Sequence, residues 1–204
     1  LNNNNQYRDT DYFVVADLDG INSNLNSYYV DYCWDLGLEW DACFPNQLAP
    51  YYDIWALRHE IWCPNDVWSQ FYYLNKFSKN NLFLKNSIIY SKMITIPLNT
   101  SPIEVDSAFG GIGIYKIECS KVGKYSGLNK DGSQVCEHVS FHSSLKRKGK
   151  KLFIIPGFIN GSWNEHNKEK KLWNKFKSSL ILFILVLIKP LLSKKRIKNF
   201  LVNR

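Results

Sequence analysis

Tyr12-Phe13-Val14-Val15-Ala16-Asp17-Leu18-Asp19-Gly20 sets a short apolar run directly before two carboxylates and a glycine. Aromatic and β-branched side chains in a five-residue block read as a buried strand, and Asp-x-Asp-Gly reads as its carboxyl end turning away from the sheet. Ser23 to Leu36 follows with Leu25, Tyr28, Tyr29, Tyr32 and Leu36 at helical spacing before Gly37, which predicts a helix. Asp41 to Phe44 and Tyr51 to Leu57 are expected as strands or extended segments around a Pro45-to-Pro50 turn region, and Asp66 to Phe77 as a helix. Lys92 to Ile96, Ile112 to Ile117 and Leu152 to Ile155 read as strands, the last ending at Pro156, and Glu137 to Lys148 as a helix closed by Gly149. Strands alternating with helices predict a layered α/β domain with a parallel or mixed sheet.

With 45% hydrophobic and 15% aromatic residues among 204, the chain can bury a full core, which excludes wholesale disorder. Its net charge of +8 is unevenly placed. Residues 1–145 hold 10 Lys and Arg against 16 Asp and Glu, net −6, whereas residues 146–204 hold 16 against 2, net +14. An acidic body argues against nucleic acid as a partner of the globular part, because phosphates need a cationic surface. The five cysteines are odd in number and lack zinc-like spacing, so neither a disulfide framework nor structural zinc is expected. They read as small buried hydrophobes in a reducing compartment.

The expected domain boundary falls near residue 165, with 1–165 as the catalytic-type domain and 166–204 as a basic, apolar tail. Leu180 to Ile188 is uninterrupted apolar sequence, preceded by Trp173 and Phe176 and followed by Lys194, Lys195, Arg196 and Lys198. Nine such residues fall short of the roughly 20 that cross a bilayer. The pattern suits an interfacial anchor on an anionic membrane face, or else a C-terminal hydrophobic helix packed on the core or on a second subunit.

Asp17 and Asp19 at a strand end can converge on a hard divalent cation such as Mg²⁺ or Mn²⁺, which completes its shell with water and substrate phosphates; a solvated acidic pair at a turn is the alternative. Gly110 and Gly111 allow close approach of backbone to a ligand, or simply serve a turn. Glu137 opens a helix, where the dipole favours a carboxylate. His138 and His142 share a helical face, as metal ligands or incidentally.

In their order along the chain, these parts resemble the GT-A class of nucleotide-sugar-dependent glycosyltransferases. Tyr51-Tyr52-Asp53-Ile54-Trp55-Ala56-Leu57-Arg58, Ala108-Phe109-Gly110-Gly111 and Cys136-Glu137-His138-Val139 look more specifically like capsule-type, mannosyltransferase-like enzymes of bacteria and fungi. The resemblance covers residues 12 to 160. It implies Asp17 and Asp19 as ligands of a divalent metal (Mn²⁺ or Mg²⁺), His142 as a further metal ligand, and Phe109, Gly110 and Gly111 as the lining of a donor-sugar pocket. It also implies Glu137 as the catalytic base toward the acceptor hydroxyl. Many relatives have Glu-Asp where this chain has Glu137-His138. Asp53 and Arg58 either reach donor or acceptor or pair with each other. The implied partners are a nucleotide-sugar donor, a glycan or lipid-linked acceptor and, through the tail, a membrane surface, with a cytoplasmic, membrane-peripheral location and a role in polysaccharide biosynthesis. Only sixteen residues precede Asp17, so the chain is expected to be either the C-terminal portion of a longer enzyme, with the nucleotide-base-binding part of such a fold upstream of Leu1, or a truncated, inactive product. A non-catalytic, membrane-associated binding or scaffold protein is the alternative.

Overall fold

Alternating side chains sort the central strands into two faces. In β2 (Ala42–Gln47), Ala42 and Phe44 enter one core and Cys43 the other; in β5 (Leu152–Gly161), Leu152 and Ile154 enter the first, Phe153 and Ile155 the second. A strand buried on both faces needs cover on both, and helices supply it here. The computed structural model describes residues 9–78, 80–129 and 132–168, with 170–172, 174, 175 and 177. The Asn-rich start, Trp173, Phe176, the apolar run at 180–188 and the basic cluster at 194–198 lie outside the described residues. Two compact units divide the chain, 1–166 and 167–204.

The first unit is an α/β fold on a mixed five-stranded sheet of order β1-β4-β2-β5-β3, with β1 at Tyr12–Ala16, β3 at Ile103–Glu104 and β4 at Ile112–Lys116. β2 and β5 are parallel, and the other pairs are antiparallel. Helix α1 (Ser27–Asp35) covers one face, where Cys33 packs with Ile112, Ile114, Phe153 and Phe158. Helices α2 (Val67–Asn75), α3 (Asn81–Leu84) and α5 (Glu137–Lys146) feed Phe71, Leu84, Phe141 and Leu145 into the core on the other face, with the short α4 (Glu118–Val122) joining β4 to the α5 region. All five cysteines are free and buried.

Several elements differ from their sequence expectation. α1 begins at Ser27 because Asn26 caps it, its side chain accepting from the Tyr29 amide, while residues 21–24 form turns. Tyr51–Leu57 is an irregular turn segment, because Asp53 accepts from the Ala56 amide and turns the backbone locally. Lys92–Ile96 is likewise no strand: the Ile94 carbonyl accepts from the Tyr51 amide and the Ile96 carbonyl from Asn46 Nδ2, so single bonds replace a ladder. β5 does not stop at Pro156 but runs on to Gly161. Its register with β2 jumps between Phe44↔Ile154 and Asn46↔Ile159, a bulge that accommodates the proline. Asn46 Nδ2 donates to the Pro156 carbonyl at 3.1 Å, replacing the ladder bond that the bulge removes.

His142 on α5 is wholly buried. Its Nδ1 lies 2.8 Å from Ser107 Oγ and its Nε2 3.0 Å from the Tyr115 hydroxyl, so both ring nitrogens are engaged. Burial, then the neighbouring His138, holds its pKa well below the ordinary histidine value. A depressed histidine pKa contributes stability that is complete above the unfolded value of about 6.5 and is lost as pH falls through it. Replacing His142 by Phe should therefore cost about 2–4 kcal/mol in urea unfolding at neutral pH, from two stranded hydroxyls. The same variant should show a flatter loss of stability than the parent between about pH 7 and 5.

Candidate functional site

β1 is antiparallel to β4, and β4 to β2, which is parallel to β5. The carboxyl ends of β1, β2 and β5 therefore meet at one sheet edge together with the start of β4, the kind of edge at which open α/β sheets bind ligands. Asp17 and Asp19 follow β1, Gln47 ends β2, Asn160 lies near the end of β5, and Gly110-Gly111 leads into β4.

Amide side chains lock this edge. Asn160 Nδ2 donates to the Gly110 carbonyl and to Asn22 Oδ1, both at 2.7 Å, and Asn160 Oδ1 accepts from Gln47 Nε2 at 3.0 Å. Asn22 Nδ2 in turn donates to the Asp17 and Gly111 carbonyls, each at 2.9 Å. The Asp17 amide also donates to the Gly111 carbonyl at 2.9 Å. Gly110 and Gly111 have φ of +68° and +96°, a left-handed backbone in which a side chain is strained, and a Cβ on Gly111 would strike Ile21. Asp53 fixes the same loop from the other side, its Oδ2 accepting from the Gly110 amide at 2.9 Å.

A cleft of about 640 Å³ opens over this edge. Asp17, Asp19, Asp53, Glu137, His138 and Phe109 all line it, although they are spread over 120 residues of sequence. Tyr52, Trp55, Trp68, Tyr72 and His166 complete much of the wall. Although exposed on its outer side, Asp17 is held above the ordinary carboxylate range, by partial desolvation and then by the charges of Asp19, Asp53 and Glu137, with His166 opposing. His138 stacks on Phe109 with ring centroids 3.7 Å apart, its Nδ1 is 3.2 Å from the Tyr125 hydroxyl, and its Nε2 is 3.6 Å from Glu137 Oε1. Burial depresses its pKa, with Asp53 and Glu137 opposing. The Cys136 thiol is pushed up to about 12, by burial and then by Asp53, which keeps it protonated and unsuited to nucleophilic attack at neutral pH.

Four expected site residues stand apart, two of them glycines: Gly110 and Gly111 are buried behind Phe109, which alone of that loop lines the cleft, so they shape the loop and do not form the pocket wall. His142 does not line the cleft, and its two nitrogens are already taken, so its assignment as a metal ligand is corrected to a core histidine. Arg58 pairs with Asp66 at 2.8 Å rather than with Asp53, and donates to the Trp55 and Leu57 carbonyls, which makes it a brace for the 55–66 segment. Among the described residues no three His, Cys, Asp or Glu side chains form a preformed metal cage. Asn22, Gln47 and Asn160 escaped the sequence reading; only Asn160 carries a local signal, an amide inside an otherwise apolar strand. No family model, curated protein or solved structure matches the chain.

Two substitutions here should act in opposite directions. Asn160→Ala strands the Gly110 carbonyl, Gln47 and Asn22 together, and should lower stability by about 2–4 kcal/mol in chemical denaturation. Asp17→Asn should raise the melting temperature at neutral pH. The folded-state pKa of Asp17 is raised, so its ionised form opposes folding, and the penalty vanishes as pH falls through that pKa. The gain from Asn should accordingly be absent in acid.

Proposed function

We propose that the chain carries the catalytic residues of a glycosyltransferase that moves a sugar from a nucleotide-sugar donor to a glycan or lipid-linked acceptor, and that its fold is of the GT-A kind. The observation that carries this reading is the convergence of Asp17, Asp19, Phe109 and Glu137 on one cleft. Of the other positions weighed in the resemblance, Asp53 and His138 line the same cleft.

The donor set fits a hard divalent cation: Asp17 and Asp19 offer carboxylate oxygens alone, and the penalty on ionised Asp17, set first by desolvation and then by the charges of Asp19, Asp53 and Glu137, is what a cation would offset. A bound Mn²⁺ or Mg²⁺ would supply charge neutralisation for a diphosphate leaving group. Asp17 and Asp19, at the turn after β1, would hold that ion. Phe109, on the loop pinned by Asp53 and Asn160, would form the wall against which the sugar lies. Glu137, half-buried at the start of α5, takes the proton from the acceptor hydroxyl as that oxygen attacks the sugar carbon. His138 faces Glu137 Oε1 and is itself held by Phe109 and Tyr125, so it steadies the base. The tail, residues 166–204, is proposed to hold the domain at the cytoplasmic face of a membrane, which would concentrate a lipid-linked acceptor near the cleft.

Thermal unfolding with Mn²⁺ and a panel of nucleoside diphosphates tests the site. A rise in melting temperature is expected for one pair, and Asp17→Asn or Asp19→Asn should remove that rise. Glu137→Gln should keep the ligand-induced rise yet slow sugar transfer by about 100-fold or more. No rise with any metal and nucleotide pair would overturn the reading.

A further inference from the structure

α2 divides its side chains between the core and the cleft. Val67 and Phe71 are buried in the core, whereas Trp68, Ser69 and Tyr72 line the cleft. Positions 68 and 72 are one helical turn apart and so lie side by side. Their ring centroids are 6.2 Å apart and the ring planes 31° from parallel, which makes one aromatic surface of the two. Phe71 meets both edge-on, Trp68 at 84° and Tyr72 at 66°, and holds them from the core. Asp66 fixes the start of the helix, accepting from the Ser69 amide and from Arg58 Nη2, both at 2.8 Å, and Arg58 ties the same brace to the carbonyl of Trp55, another ring of the cleft wall. Core packing does not account for Tyr72, which is 62% exposed.

Charge narrows what can lie on these rings. Asp17, Asp19, Asp53 and Glu137 line the same cleft, and among the described residues that line it none is lysine or arginine. One divalent cation on Asp17 and Asp19 is used by the donor diphosphate, so a further anionic group in the cleft would face uncompensated carboxylates. The C–H face of a neutral sugar ring, by contrast, suits the negative face of an aromatic ring. Ser69 and Gln134 on the same wall offer partners for hydroxyls, which a hydrocarbon chain would leave unpaired. We propose that Trp68 and Tyr72 are the platform of an acceptor subsite that takes an uncharged sugar ring and rejects one carrying phosphate or carboxylate. The acceptor role rests on the glycosyltransferase reading of the cleft; the binding of a sugar ring by Trp68 and Tyr72 does not. A lipid-linked acceptor then needs at least one further sugar between its lipid phosphate and the reacting ring.

Saturation-transfer NMR on the full chain without metal tests the platform, with the methyl glycosides of glucose, mannose and galactose as probes, each beside its 6-phosphate. At least one neutral glycoside should take up saturation, and its 6-phosphate at least about fivefold less. Tyr72→Ala, at a ring the fold can spare, and Trp68→Leu, which keeps apolar bulk against the core, should each lower the glycoside signal by at least about threefold. Tyr28→Ala should leave it unchanged, because Tyr28 is equally exposed beside Tyr32 on α1 but does not line the cleft. Thermal unfolding of the same variants with Mn²⁺ and a nucleoside diphosphate should keep the parent's rise. If the parent shows no such rise while glycoside binding still depends on Tyr72, the glycosyltransferase reading fails and the sugar platform stands. The platform is overturned if no neutral glycoside takes up saturation, if the 6-phosphates match the neutral probes, or if Tyr72→Ala and Trp68→Leu bind as the parent does. It is also overturned if Tyr28→Ala lowers the signal as much as Tyr72→Ala, or if Tyr72→Ala abolishes the nucleotide-induced rise, which would give the ring to the nucleobase.

Discussion

Asn160 makes the hydrogen bonds on which the rest of the site depends. A fully buried amide has two hydrogens to donate and an oxygen that must accept, and burying it without partners is costly. Here the Gly110 carbonyl, Asn22 and Gln47 meet those requirements from three other parts of the chain. Because Asn22 passes the connection on to the Asp17 and Gly111 carbonyls, the ends of β1, β2 and β5 and the entry to β4 are held as one piece. Such a network is cooperative inside a low-dielectric interior, and rigid for the same reason. It also explains why glycines occupy 110 and 111, since the network pulls the backbone into a left-handed path against Ile21.

Electrostatics over this frame run against folding. Asp17, Asp19, Asp53 and Glu137 share the cleft, and the pKa of Asp17 is raised by desolvation first and then by the charge of the other three. Strain of that kind is characteristic of sites built to receive a charged ligand, where stability is given up for affinity. The neutral histidines behave differently. His142 is a structural group that joins Ser107 to Tyr115 through the core, whereas His138, one turn earlier on the same helix, reaches the cleft wall. A spacing of four residues put both rings on one face of α5, with centroids 6.0 Å apart, but depth along that face separated their roles.

The extent to which the fold could be read from sequence followed the strength of local signals. β1, β4, α2 and α5 appeared close to where periodicity placed them, because an apolar face repeated at a fixed period is a local property. Gly37 marked the end of α1 and Asp66 the start of α2 for the same reason, whereas the Asn26 cap that delays α1 to Ser27 was not read. Tyr51–Leu57 was misread because its aromatic composition resembles a strand, while Asp53 bonding to its own neighbourhood turns it. Pro156 was misread because a bulge against β2 and an amide from Asn46 absorb a proline that would otherwise end a strand. Neither compensation is visible within a short window.

By itself the sequence determined the α/β class, the separation of an acidic body from a basic tail, the burial of the cysteines, and the candidacy of Asp17, Asp19, Gly110, Gly111 and Glu137. Each follows from composition, period or residue chemistry over a few neighbouring positions. Tertiary structure alone decided which candidates meet: it joined Asp53 to the Gly110 loop, withdrew His142 into the core, gave Arg58 to Asp66, and brought Asn22, Gln47 and Asn160 into one network. The physical reason is that hydrogen-bond partners and shared burial are set by strand order and direction, which bring together residues separated by more than a hundred positions, and no local pattern encodes that proximity.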